Sequence, residues 1–379
     1  MIRLLHLISG LNVGGAERAL AALVRRSDTL RFRHVVVSMT EMGPVGEHLA
    51  SAGVEVHALG MRGGLPSPAG LVRLMKFLRQ TRPHLLQCWM YHGNLLGLLA
   101  GKLAGVPHII WGIRCSDMDF KRYRRMTRWV VMLGAWLSRF PQRVILNSEA
   151  GKRLHVRLGY VESKMVVIPN GFNLEVFKPD LEARAAIQKE RNLPDDALLI
   201  GLMARFDPMK DHATFLQAAR LLNQRKPRVH YILAGTGISP ENKALSQMVR
   251  ENGLNGSVHL LGPRDDMACL NASLDIACSS SLFGEGFSNA LGEAMACGVP
   301  CVATDVGDSA YIVGDTGRVV PPGDFEALAT AWTELIQVGS AGRQALGQRA
   351  RQRINENFPL DQTVVRYQSL YESLTAKAS

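Results

Sequence analysis

Cysteine is scarce in this chain, six among 379 residues, and no two cysteines make a C-x-x-C pair. That excludes a small disulfide scaffold and leaves Cys88, Cys115, Cys269, Cys278, Cys297 and Cys301 as reduced thiols, mostly within apolar segments. Cys297 and Cys301 stand four apart around Gly298-Val299-Pro300, but no second Cys or His pair accompanies them, so no zinc site is expected. Long apolar runs are missing too. Asn94 to Ile113 is broken by Lys102, Pro107 and His108, and Trp129 to Leu137 is too short to span a bilayer, so no transmembrane helix is expected. The opening Met1-Ile2-Arg3-Leu4-Leu5-His6-Leu7-Ile8 reads as a strand and not as a secretory leader, which points to the cytoplasm. With 47% hydrophobic and 20% charged side chains, disorder and collagen-like structure are excluded. The length exceeds what one core ordinarily supports and favours two domains.

Acidic residues are few in the first half. Through Asp180 there are 25 Lys and Arg against 11 Asp and Glu, and after it 19 against 22, so the net charge of +11 belongs to the first half. The excess concentrates in Lys121, Arg122, Arg124, Arg125 and Arg128, followed at once by apolar Trp129-Val130-Val131-Met132-Leu133-Gly134-Ala135-Trp136-Leu137. A basic segment joined to a tryptophan-bearing apolar one suits an anionic membrane surface. The alternative is a solvated helix start whose apolar remainder is core. Interleaved aromatics and nucleic-acid motifs are lacking, so no nucleic-acid partner is expected. Asp117-Met118-Asp119 spells a metal-binding D-x-D, but it sits beside the basic run and reads better as surface acids balancing Arg122 or Arg124.

What is present in abundance is alternation. Strand-like runs at Arg3 to Ile8, His34 to Met39, Val54 to Leu59, Leu85 to Trp89, His108 to Gly112 and Val144 to Asn147 are separated by helical patterns such as Ala16 to Arg26 and Leu71 to Gln80. A second series runs through Leu198 to Met203, Val229 to Ala234, Val258 to Leu261, Leu274 to Cys278 and Pro300 to Ala303. The rhythm is βαβ, which predicts an α/β protein with two doubly wound, mainly parallel halves. The expected division is 1–180, 181–359 and a terminal helix, 360–379, crossing back to the first domain after a bend at Pro359.

In open parallel sheets ligands bind at the carboxyl ends of strands, so the chemistry should follow them. The first strand runs into Gly10, Gly14 and Gly15, where a close backbone and a helix head suit a phosphate. The spacing is not G-x-G-x-x-G, so a nicotinamide site is not indicated. The second series opens on Arg205-Phe206-Asp207-Pro208-Met209-Lys210, where two cations flank a turn and suit a departing diphosphate. The most specific segment runs from Phe283 to Pro300. Glu285 lies in a glycine-rich loop, Ser288 is placed to cap a helix, and Glu293 falls inside that helix, eight positions after Glu285. The amides of Gly286, Phe287, Ser288 and Asn289 are placed to meet phosphate or sugar oxygens.

The Glu285-x7-Glu293 segment with its Gly-Glu-Ala-Met-Ala-Cys-Gly-Val-Pro continuation resembles glycosyltransferase family 4, as do the Arg205 and Lys210 pair, Pro169-Asn170-Gly171 and the N-terminal Gly14-Gly15-Ala16-Glu17-Arg18. The resemblance implies the GT-B fold, two Rossmann-like domains facing a central cleft, and retaining transfer from a nucleotide-sugar without metal or other cofactor. Arg205 and Lys210 would then bind the diphosphate, Glu293 the ribose and Glu285 the transferred sugar, with Gly14 and Gly15 bordering the phosphates. The leaving phosphate itself would help deprotonate the acceptor. His92, after the fourth strand, would act near the acceptor, and Arg114, after the fifth, is a candidate for acceptor or phosphate contact. Uridine is the base expected from family frequency, with a hexose or N-acetylhexosamine as the sugar and guanosine-linked mannose kept open. The acceptor is expected to be a lipid-linked or membrane-associated glycan of cell-surface polysaccharide or lipopolysaccharide synthesis, at the inner face of the membrane. A small soluble acceptor, a sugar-nucleotide epimerase of similar fold and a non-catalytic scaffold are the alternatives.

Overall fold

In a computed structural model, which describes residues 1–61, 67–116, 125–225 and 228–376, with Arg125 by its backbone alone, the two alternating series become two parallel sheets. The first sheet contains β1 (Ile2–Ile8), β2 (Phe32–Ser38), β3 (Glu55–Ala58), β4 (Leu85–Trp89), β5 (His108–Ile113), β6 (Arg143–Leu146) and β7 (Met165–Val167), in the order β3-β2-β1-β4-β5-β6-β7. The second contains β8 (Leu198–Met203), β9 (Val229–Ala234), β10 (Val258–Leu260), β11 (Ile276–Ser279), β12 (Cys301–Thr304) and β13 (Arg318–Val320), in the order β10-β9-β8-β11-β12-β13. All five residues of β4 and all four of β11 and β12 are buried, as strands covered on both faces require. Strand order reverses between β1 and β4 in one sheet and between β8 and β11 in the other. Those are the points where an open α/β sheet leaves a crevice outside its strand ends.

The chain divides into Met1–Gly171 with Leu360–Ser379, and Phe172–Pro359. The expected boundary at 180 therefore moves to 171. The reason is Phe172, whose ring packs against Phe287 at 6.1 Å and whose amide donates to the Phe358 carbonyl, tying residues 172–180 to the second unit. The helix Gly339–Asn357 ends at Phe358, and Pro359 separates it from the helix Leu360–Thr375. That last helix lays Leu360, Val364, Tyr367, Tyr371 and Leu374 on the first sheet, with the Tyr371 hydroxyl donating to the Gln87 side chain.

Most predicted strands lie within one or two residues of their expected limits. The two unforeseen strands, β7 and β13, have three residues each and stand at sheet edges, where a pattern is too short to read. All six cysteines are free thiols. No helix among the described residues is long and apolar enough to cross a membrane.

Candidate functional site

The carboxyl end of β8 is built as a compact cationic turn. Asp207 accepts from the Met209 amide at 2.9 Å and starts a single turn, Pro208–Lys210, while its other oxygen receives Arg205 Nε at 3.0 Å. Burial raises the Asp207 pKa, but these two donors outweigh it and hold the carboxyl below its ordinary value. Asp211, with φ of +46°, turns the chain into the helix His212–Asn223 and caps it, accepting from the Thr214 amide at 3.2 Å and hydroxyl at 2.6 Å.

Lys210 points its ammonium onto the Glu285 carboxylate, which also accepts from Ser281 Oγ at 3.1 Å. Both members are largely buried, at 16% and 12% side-chain exposure, whereas the Arg205 side chain is 54% exposed. The loop after β11 is fastened to the β8 turn by Ser280 Oγ donating to the Lys210 carbonyl and by the Leu282 amide donating to the Met209 carbonyl, both at 2.8 Å. Thr304, at the end of β12, donates to the Ser281 carbonyl at 2.6 Å. Gly307, at φ of +65°, lets the following loop pass so close that a Cβ would stand 2.0 Å from the Glu285 carbonyl oxygen. Three strand ends thus converge on Glu285.

Glu293 lies in the helix Asn289–Ala296 and is 9% exposed. Ser288 occupies the capping position, but its side chain makes no cap hydrogen bond, contrary to expectation; it is buried instead. Phe287, whose amide is the part expected at the donor, packs its side chain into the core, 4% exposed, with its ring 6.1 Å from Phe172 and 5.3 Å from Phe358. Gly292 is what lets this happen: a Cβ there would stand 1.9 Å from the Phe172 ring. Part of the motif therefore serves packing, which seats the helix that carries Glu293.

Two features of this site escaped the sequence reading. Gly235-Thr236-Gly237, after β9, lies against the β8 turn: the Phe206 amide donates to the Thr236 carbonyl at 2.8 Å, and a Cβ on Gly235 would stand 2.3 Å from the Ala204 oxygen. A glycine pair straight after a strand was the available signal. His212 is 3% exposed, beside the Phe206 ring at 5.3 Å, with neither ring nitrogen hydrogen-bonded among the described residues. Burial, partly countered by Asp211, pushes its pKa down to about 4. Nothing in its sequence context marks it.

In the first unit, Gly14 is the extended residue before the helix Gly15–Arg26. A Cβ on Gly14 would stand 2.3 Å from Glu17 Oε2, so this glycine makes room for a carboxylate that folds back over the helix head. At the end of β4, Met90 adopts φ of +66°, an unusual conformation for a side chain of its size, and the helix Met90–Ala104 begins there. His92 lies in its first turn, half-buried, with a pKa lowered by burial. The elbow is pinned on both sides. Tyr91 Oη meets His155 Nε2 at 2.8 Å, and the Asn94 amide exchanges two hydrogen bonds with the Gly112 backbone.

Arg114, expected at acceptor or phosphate, is held by partners within the first unit. Its guanidinium donates to Asn170 Oδ1 at 2.5 Å and the Tyr367 hydroxyl at 3.3 Å, and lies 4.9 Å from the Trp89 ring centre. Of the basic run, Lys121, Arg122 and Arg124 lie outside the described residues, as do Asp117 and Asp119; Arg125 and Arg128 fall on the helix Arg125–Leu137. Among the described residues no group of three or more His, Cys, Asp or Glu is placed to hold a metal ion.

Each half of the chain matches a glycosyltransferase family model. The family model for glycosyl transferases group 1 matches residues 197–338, and that for Glycosyltransferase Family 4 matches residues 13–176. The Bacillus anthracis N-acetyl-alpha-D-glucosaminyl L-malate synthase is 30% identical over 365 residues, covering 86% of this chain and 91% of that protein. The Escherichia coli UDP-Gal:alpha-D-GlcNAc-diphosphoundecaprenol alpha-1,3-galactosyltransferase is 23% identical over 309 residues, 79% of this chain and 78% of that protein. Among solved structures, Anabaena Alr3699/HepE in complex with UDP superposes with a TM-score of 0.84 at 22% identity, covering 98% of this chain and all of the other. Sucrose-phosphate synthase from Thermosynechococcus elongatus does so with a TM-score of 0.82 at 21% identity over the full length of both. Two doubly wound parallel units with these neighbours make the fold GT-B. With one glycosyltransferase model matched over each half and a 30% identical relative spanned almost end to end, the chain belongs to glycosyltransferase family 4.

Proposed function

We propose that this glycosyltransferase moves a hexose or N-acetylhexosamine, with retention at the anomeric carbon, from a UDP-linked donor to a lipid-linked or membrane-associated glycan acceptor during assembly of a cell-surface polysaccharide or lipopolysaccharide. The observation that carries the reading is the buried Lys210 and Glu285 pair, held at the β8/β11 strand ends beside the exposed Arg205. Arriving diphosphate draws Lys210 and Arg205 to its oxygens, so two fixed cations offset the charge that grows on the leaving group and no metal is required. Glu285, released toward the sugar, accepts from its hydroxyls, and Glu293 accepts from the ribose hydroxyls. The leaving phosphate oxygen takes the acceptor proton, and His92 orients the acceptor. UDP and UDP-glucose in the Anabaena complexes support the choice of base, and the Escherichia coli relative, with its diphosphoundecaprenol acceptor, supports the lipid-linked class.

A second reading, transfer to a small soluble hydroxy acid, is favoured by the Bacillus anthracis relative, named for L-malate. The test is a thermal-shift panel of UDP, GDP, ADP and dTDP with their sugar conjugates, in chelator, on wild type and Glu293→Ala. Stabilisation by the uridine series alone, lost in the variant, is the expected result, since a ligand that binds only the folded form must raise its stability. Stabilisation only by another base, or only once metal is restored, overturns the donor assignment. Product analysis with donor alone separates transfer from epimerisation, and lipid-linked against soluble acceptors separate the two readings.

A further inference from the structure

From Trp129 onward the helix Arg125–Leu137 has no polar side chain, yet among the described residues only one side of it is covered. Val131 and Ala135 are buried in the first unit, and Gly134 fits beneath the Tyr160 hydroxyl, which donates to the Val131 carbonyl at 3.1 Å. The opposite side presents Trp129, 73% exposed, then Met132, Leu133 and Trp136, 58% exposed. The neighbouring helix Met90–Ala104 adds Leu99 and Leu103, each about half exposed. A soluble surface does not normally leave six large apolar side chains together without a partner.

Charge says which partner. The helices Pro68–Thr81, Met90–Ala104 and Arg125–Leu137 carry Arg73, Lys76, Arg79, Lys102, Arg125 and Arg128 and not one aspartate or glutamate. Arg79 donates to the Leu103 carbonyl at 3.1 Å, and Arg139 lies 5.1 Å from the Trp136 ring centre. Lys164 donates to the Arg139 and Pro141 carbonyls, and after burial its pKa is depressed by Arg143 and Lys102, which places these cations in one field. Such a rim repels a second copy of itself and attracts an anionic surface. Tryptophan, with an apolar ring and one polar edge, suits the headgroup boundary of a bilayer, and arginine or lysine at the rim reaches lipid phosphates.

We propose that the exposed face of the helix Arg125–Leu137, with Leu99 and Leu103, docks on an anionic phospholipid bilayer, inserting Trp129 and Trp136 at the headgroup level. The proposal deepens the membrane-associated acceptor of the preceding section and rests on it for its purpose, though not for its test.

The experiment is cosedimentation of the full chain with phosphatidylcholine vesicles, with and without phosphatidylglycerol, in the absence of nucleotide and across a salt series. Wild type is expected to bind the phosphatidylglycerol vesicles with a blue-shifted tryptophan emission and to be released by salt. Trp129→Gln with Trp136→Gln should weaken binding by at least about tenfold, because two large rings no longer insert. Lys102→Glu with Arg139→Glu should abolish the preference for anionic lipid. An unchanged melting temperature and UDP-induced shift in each variant show that the fold is kept. Wild type that ignores anionic vesicles, or a tryptophan pair variant that binds them as well as wild type, overturns the proposal. So does a wild-type dimer that the tryptophan pair variant converts to monomer while vesicles remain unbound, since the occupant is then a second copy. Vesicle binding without any UDP shift would sink the donor assignment and leave this surface standing.

Discussion

At the scale of single residues, the informative pair is Lys210 and Glu285. Each was expected to hold a different part of the donor, and in the structure they hold each other. Replacing Lys210 by Ala removes the cation paired with a largely buried carboxylate that also accepts from Ser281, so urea denaturation should show a loss of about 3 kcal/mol, and turnover should fall by about 10² to 10³. Lys210→Met combined with Glu285→Gln should restore most of the stability and none of the turnover. Recovery of turnover in the double variant would mean that the pair is structural only. The same scale shows what a motif does not reveal. Arg114 follows a strand, and the partners that hold it, Asn170 and Tyr367, stand 56 and 253 positions away in sequence. Phe287 sits within the motif and its ring belongs to the core, which leaves its amide as the part expected at the donor.

At the scale of elements, the helix Leu360–Thr375 does the most for the first unit. Its apolar residues recur every three or four positions, as one helical face requires, and that face lies on the first sheet. Beneath it the Gln87 carboxamide nitrogen already has no hydrogen-bond partner among the described residues, so the Tyr371 hydroxyl is the contact that satisfies the other end of this buried group. Tyr371→Phe should cost about 1 to 2 kcal/mol in chemical denaturation, as leaving a buried acceptor unmet does. Ending the chain at Pro359 should expose Leu4, Trp89 and Ile145 to water and give insoluble protein. A soluble, cooperatively folding truncation would show that the helix is dispensable. The periodicity of this helix was legible in the sequence; the sheet that receives it was not, since a stripe of apolar residues does not name its partner.

At the scale of the whole molecule, acid stability follows from histidines buried without charge. His34, His155 and His212 are each less than a tenth exposed, and burial pushes all three down to about 4, whereas an unfolded chain titrates them near 6.5. Between those values the unfolded chain binds more protons than the folded one. Stability is therefore full above about pH 6.5 and falls as pH drops toward about 4, by about 1.4 kcal/mol per pH unit for each such histidine. Thermal denaturation from pH 8 to pH 4.5 should show a flat melting temperature that turns steeply downward below about 6.5. A flat profile to pH 5 would mean that these rings gain protons without unfolding. Sequence alone determined the α/β class, the two parallel series and the placing of motifs after strands, because βαβ periodicity and glycine-rich turns are local patterns, and its motifs carried the resemblance to the family that comparison with known proteins then showed. Tertiary structure alone decided that Lys210 pairs with Glu285, that Arg114 is held by Asn170 and Tyr367, that residues 172–180 go with the second unit, and that one helix keeps an apolar face uncovered among the described residues. Each of these depends on which distant side chains arrive at the same place, and burial, charge pairing and exposure are properties of that arrival.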